Sequence, residues 1–208
     1  MEYLSDPFRV EVSAHHLHVT QKVLDHLFGA GFNLDSHVRK ELSQPGQYAS
    51  DIRVDIEVTG KDGIRRRLRG VSILGPVRSY NQVEISLTDA VGLRIDVPVR
   101  QSGRVEGSIP ADIVRIEEGV EISRTHIDCG VVAQKRHIHI NSEQAERMGV
   151  TNNQIVAVEV TSFKDRGIIF QDVVMRVDPI FDLSMHLDTD EGNACGISGT
   201  STGRIVRL

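Results

Sequence analysis

The sequence predicts a mainly β protein made of two small related β-barrel domains, each capped by short α-helices. Three observations carry this. Short alternating apolar segments rich in β-branched residues recur along the 208 residues. Gly, Asn and Asp separate them at turn positions. The order His-x-His, helix cap, short helix, glycine occurs at 16–29 and again at 137–149, which marks an internal duplication.

The elements follow in order. "FRVEVSA" (8–14) alternates as a strand and runs into "HHLHVT" (15–20). "TQKVLDHLFG" (20–29) reads as a helix with Thr20 as N-cap and Gly29 as stop. "IRVDIEV" (52–58) is a strand, and "GKDGI" (60–64) is a hairpin turn after it. "VEISLTDAVGLRIDVPVR" (83–100) repeats the strand, capped helix, strand order of 138–160 without its histidines. Gly, Ser and Pro gather in "RQSGRVEGSIPADI" (100–113), which places the expected division between residues 1–105 and 106–208. "IVRIEEGVEI" (113–122), "IVAVEV" (155–160) and "IIFQDVVMRV" (168–177) are further strands. "NSEQAERMGV" (141–150) is a helix capped by Asn141, with Gln144 three residues on and Gly149 at its end. Closing such short strands into barrels removes exposed edges.

Composition excludes several classes. A net charge of −5, 4% aromatics and no Trp argue against nucleic acid as a partner. Nowhere do 18 consecutive apolar residues occur, so no membrane-spanning helix is expected. Cys129 and Cys195 form no paired or CxxC pattern, which fits a reducing, cytoplasmic setting.

The histidines suggest chemistry. On a strand, i and i+2 share a face, so His16 and His18 stand side by side with Cα atoms roughly 6.6 Å apart, and His137 and His139 do the same. One such pair alone reads as two solvated histidines; two copies in matching contexts favour a bound cation. Imidazole suits Zn²⁺ and other late first-row metals. A catalytic zinc usually takes three protein ligands, so each pair needs one more. Glu84, between core residues Val83 and Ile85, is either a solvated carboxylate or one whose burial calls for a partner or a metal. His186, between Met185 and Leu187, is either a hydrogen-bonded core histidine or a ligand. Asp188, Asp190 and Glu191 are expected to cap a helix or sit in a solvated turn. His15, His26, His37 and His126 have no mirrored partner and read as surface or core residues.

"VSAHHLHVT", "LSQPGQYA", "ILGPVRSYNQVEIS", "KRHIHINSEQAERMGV" and "MHLDTDEGNAC" together resemble the PduL-type phosphate acyltransferases, the phosphate propanoyltransferase family, over roughly residues 8–196. The resemblance implies an active site between two β-barrel domains, with two zinc ions per chain. It implies the reaction acyl-CoA plus phosphate to acyl phosphate plus CoA, with propanoyl-CoA or acetyl-CoA as donor. By motif, His16, His18 and Glu84 would hold one zinc, and His137, His139 and His186 the other. Arg78 would bind phosphate. Val12, Ser13, Ala14, Arg65, Ser72 and Asn193 would contact CoA.

Two positions depart from the family pattern. His15 stands where Arg precedes the first His-x-His, and Ser72 stands where a basic residue is common, so "RRRLR" (65–69) is an alternative anchor for CoA phosphates. The resemblance also allows a homo-oligomer and association with a bacterial microcompartment shell. Microcompartment members carry an N-terminal amphipathic extension, whereas about seven residues precede the first strand here, short of the ~12–15 needed for an isolated helix. Two other readings use the same residues: a zinc-dependent acyl-CoA thioesterase, which needs no phosphate-binding Arg78, and a non-catalytic metal-stabilised β-barrel module.

Overall fold

The computed structural model describes residues 2–162, 164–197 and 199–207. The first elements are β1 (Glu2–Tyr3), β2 (Phe8–Val12), β3 (His16–His18), α1 (Gln21–Phe28), β4 (Val38–Glu41), β5 (Tyr48–Thr59) and β6 (Arg65–Gly75). Next come β7 (Gln82–Glu84), α2 (Leu87–Leu93), β8 (Val99–Arg100), β9 (Ile109–Glu117) and β10 (Val120–Gln134). The remainder is β11 (His137–Ile140), α3 (Ser142–Met148), β12 (Ile155–Val160), β13 (Ile168–Val177), β14 (Ser184–Leu187), α4 (Thr189–Ala194) and β15 (Thr200–Arg207).

The strands form two closed six-stranded barrels, as the alternation predicts. In one, the order β5-β6-β3-β7-β10-β9 returns to β5. In the other, β15-β12-β13-β11-β14-β2 returns to β15. Closure pairs the strand edges that an open sheet would leave as templates for aggregation. Each barrel has its own core. Leu17, Ile73, Val83 and Ile113 are fully buried in the first, and Ile138, Ile140, Met175 and Met185 in the second. Burying one such side chain stabilises by about 1.5–3 kcal/mol.

The chain crosses between compact units four times, at 14/15, 42/43, 45/46 and 134/135. One unit is Met1–Ala14, Ser43–Pro45 and Lys135–Leu208; the other is His15–Leu42 and Gly46–Gln134. The divisions at 14/15 and 134/135 differ from the expected 105/106. Residues 101–108 are a loop within one unit, and the strand that follows, β9, pairs with β10 and β5 of the same barrel. The strand β2 meanwhile closes the other barrel between β14 and β15.

The helices are short and begin at side-chain caps. Thr20 accepts from the Val23 amide, Asn141 from Gln144, and Ser86 and Asp188 each complete a capping box. Each such cap is worth about 1 kcal/mol. The α3 helix stops at Gly149, whose φ of +65° lies in the left-handed region that glycine adopts without strain. No helix among the described residues is long and apolar enough to cross a membrane.

Candidate metal centre

The strand β3 lies between β6, parallel, and β7, antiparallel, in a register that sets His16 opposite Glu84 and His18 opposite Gln82. Leu17 turns into the core, so the two imidazoles and the carboxylate share the other face. Ligand atoms of His16, His18 and Glu84 lie within 4.8 Å of one another. All three residues are buried, at 7%, 4% and 4% exposure. His16 Nε2 is 3.3 Å from Glu84 Oε2, without the alignment of a hydrogen bond. His18 Nδ1 is likewise buried with no hydrogen-bond partner. Leaving a buried polar atom unsatisfied costs about 1–3 kcal/mol, which a cation bound among these atoms would offset.

The charge states suit a cation. Burial, followed by the neighbouring His16, lowers His18 to about 3, so its imidazole is neutral near pH 7. Burial pushes the Glu84 carboxyl up, but His16, His18 and the Gln82 amide more than offset this and hold it at about 2. A neutral imidazole and an ionised carboxylate are the forms that ligate metals.

The second barrel repeats the arrangement. The strand β11 lies between β13, parallel, and β14, antiparallel, with His137 opposite His186 and His139 opposite Ser184. Ligand atoms of His137, His139 and His186 again lie within 4.8 Å. The ring centroids of His137 and His139 are 4.6 Å apart, and Phe181 packs on His139 at 4.2 Å. His137 Nδ1–H donates to the Lys135 carbonyl at 3.0 Å, which turns Nε2 toward the cluster. Ser184 Oγ is 3.1 Å from His186 Nε2 and accepts from Gln44 Nε2 at 2.7 Å.

Arg78 is half-buried in the segment between β6 and β7. Its backbone amide donates to the Val19 carbonyl at 2.9 Å and its Nη1 to Tyr80 Oη at 3.2 Å. Its positive charge is near enough to help lower His18.

The residues expected to contact CoA divide into two sets. Val12 and Ser13 donate backbone hydrogen bonds to the Gly199 and Leu187 carbonyls, which runs 12–14 alongside α4, where Asn193 is exposed. A Cβ on Gly192 would lie 2.6 Å from Val12 Cγ2, so only glycine permits this approach. Ser72 pairs with His16 in the β3–β6 ladder, whereas Arg65 stands at the far end of β6, ~23 Å along the strand. These two can therefore reach only opposite ends of an extended substrate. Arg65 pairs with Glu57 at 2.8 Å and with Asp112, Arg66 with Asp62 at 2.7 Å, and Arg67 with Glu57 at 2.8 Å, so the first three arginines of the 65–69 run are engaged in ion pairs.

The remaining candidates take structural roles. Asp188 caps α4, and Glu191 completes its capping box while pairing with Arg136 at 2.7 Å. His15, His37 and His126 pair with Asp89, Asp51 and Asp112, and His26 contacts the Arg124 carbonyl. Cys195 is fully buried, and burial raises its thiol pKa. Gln82, Gln44, Ser184 and Tyr80 were not singled out from sequence. The signal was present for two of them: Gln82-x-Glu84 and Ser184-x-His186 each put a polar residue two positions before a third ligand, on the same strand face.

A family model described as phosphate propanoyltransferase matches residues 9–198. The chain is 42% identical over 202 residues to a phosphate propanoyltransferase of Sebaldella termitidis, covering 97% of this chain and 89% of that one. Proteins with the same description from Enterococcus faecalis and Thermotoga maritima are each 42% identical, over 96% of this chain and 88% and 87% of theirs.

Proposed function

This chain belongs to the phosphate propanoyltransferase family and is an acyltransferase, and we propose that it interconverts propanoyl-CoA or acetyl-CoA plus phosphate with the acyl phosphate plus CoA, using two zinc ions. The observation that carries the metal reading is the repeated three-ligand cluster at one register in both barrels. The orphaned His18 Nδ1 and Glu84 Oε2 support it, because both are buried donor atoms suited to zinc. His16, His18 and Glu84 would hold one ion, and His137, His139 and His186 the other.

Zinc at such sites polarises carbonyl oxygens and holds phosphate oxygens. The chain's own residues supply the rest. Arg78 offers a planar fork for two phosphate oxygens, and its charge offsets that of phosphate beside the thioester. Its tie to Tyr80 limits the rotamers it must give up on binding. Val12, Ser13, Ala14, Ser72 and Asn193 are assigned to CoA, with Arg65 at the far end of the molecule. Cys195 is excluded as an acyl carrier by its burial and raised pKa. In this reading a phosphate oxygen attacks the thioester carbonyl carbon directly, with no acyl-enzyme intermediate on Cys195. The C–S bond breaks, its electron pair leaves with the CoA thiolate, and the acyl phosphate is released.

The test is an acyl-CoA assay with and without phosphate, read for both free thiol and acyl phosphate, together with metal analysis. Thiol release that depends on phosphate and equals acyl phosphate formed supports transfer. Phosphate-independent thiol release would establish the thioesterase reading instead. A protein with no acyl-CoA activity that unfolds on chelation would be the metal-stabilised module.

A further inference from the structure

Gln82 is fully buried on β7, two residues before Glu84, and its amide is engaged on both sides. Nε2 donates to Glu84 Oε1 at 2.6 Å and to Ser102 Oγ at 3.1 Å. Oε1 accepts from the Gly103 amide at 2.7 Å. A donor on one end and an acceptor on the other, each with a partner, fix which way the amide lies. Because Oε1 of Glu84 is taken by Gln82, Oε2 is the oxygen left beside His16, 3.3 Å from its Nε2.

The loop that Gln82 holds leads to Arg78. Gly103 has φ +89°, and a Cβ there would lie 3.5 Å from Tyr80 Oη, so the loop backbone stands against the tyrosine. That hydroxyl is the one that accepts from Arg78. One buried amide thus sits between a candidate metal ligand and the loop behind the candidate phosphate-binding residue.

We propose that Gln82 is a positioning residue, which sets the rotation of the Glu84 carboxylate and, through Ser102 and Gly103, the placement of Tyr80 and Arg78. The assignment rests on the proposed function, since it takes Glu84 as a zinc ligand and Arg78 as the phosphate site. A residue that only filled space would act through volume. One that positions acts through its hydrogen bonds. Gln82→Met keeps the length and removes the hydrogen bonds. Ser102→Ala removes one outer contact and leaves the barrel interior untouched.

The experiment uses the full chain. Zinc affinity of both sites is measured by competition with a chromophoric chelator, beside KM for phosphate, KM for CoA and the melting temperature. In Gln82→Met, zinc binding at one site weakens about 10–100-fold, the other site is unchanged, and phosphate KM rises while CoA KM holds. Ser102→Ala shifts the same quantities in the same direction, several-fold. If Gln82→Met folds with both zinc affinities and phosphate KM within about twofold of wild type, or loses zinc equally from both sites, the assignment is overturned. If Gln82→Met does not fold, unchanged zinc affinity and phosphate KM in Ser102→Ala overturn it. Wild-type protein that binds no zinc would overturn the proposed function itself, a result distinct from a normal wild type with an unaffected variant.

Discussion

Glu84 and His186 hold the same position in two copies of one ladder. Each stands opposite the first histidine of a His-x-His strand, Glu84 opposite His16 and His186 opposite His137. Each lies two residues before a helix cap, Ser86 or Asp188, that forms a capping box. A carboxylate and an imidazole are therefore alternative solutions to one geometric requirement.

On the proposed two-zinc reading, Glu84→His is expected to keep both ions, whereas Glu84→Ala loses about one of the two. Metal analysis after gel filtration reads the difference. The imidazole variant turns over more slowly even when fully loaded, because replacing a carboxylate with a neutral ligand raises the charge of the site by one. Equal zinc loss in both variants would contradict the equivalence.

On the two-zinc reading, removing the metal should abolish acyl transfer while leaving the barrels folded, since backbone ladders close each barrel and the apolar cores lie on the strand face opposite the ligand side chains. At zinc about a thousandfold above its dissociation constant, linkage stabilises by about 4 kcal/mol, so chelation should lower the melting temperature by roughly 8–16 °C. His16→Ala and His137→Ala should likewise lose activity and retain a native β circular dichroism spectrum. Global unfolding of both variants would refute this.

Arg78→Ala is expected to raise KM for phosphate about 10–100-fold, from the ~1.5–3 kcal/mol of a charged hydrogen bond, while KM for CoA stays within about twofold. Arg78→Lys recovers part of the loss, because an ammonium supplies charge without the fork. An equal rise in both constants would move Arg78 away from phosphate.

Acid stability should depend on the ion-pair network at the β5–β6 hairpin. Hydrogen bonds from Arg124 and then Arg67 hold the Glu57 carboxyl below its ordinary value of 4.5. A depressed folded pKa means that, as pH falls, the unfolded chain takes up the proton first. The contribution is then complete above about 4.5 and lost as pH falls from there through the folded value. Glu57→Gln should flatten the fall in melting temperature between pH 6 and pH 3 and lower the pH 6 value itself. An unchanged slope would exclude Glu57 as a source of the acid sensitivity.

Much of this site could be read locally. The two His-x-His pairs follow from the strand period, and Thr20, Asn141 and Gly149 act as the helix signals they resemble. The partnership of His16 with Glu84 was not locally legible, because register across β3 and β7 joins residues far apart in sequence. Alternation marks Glu84 and His186 as candidates, each beside a plainer alternative, and the family resemblance is what makes them ligands. The 105/106 division failed for the same kind of reason: turn-rich composition at 100–113 marks a loop, and composition is silent about which barrel the next strand joins. Gln82 carries one local signal, its place two residues before Glu84, but its burial and its partners depend on contacts that the local pattern does not specify.

The path of β2 has a consequence for synthesis. Residues 8–12 are made some 170 residues before their neighbours β14 and β15. The barrel carrying the three-histidine cluster therefore cannot seal until β15 has emerged, whereas the barrel carrying Glu84 has all its strands by residue 134. Nascent chains should accordingly gain protease resistance in two stages, and until the second is complete the waiting N-terminal strand is an exposed edge available to a neighbouring chain.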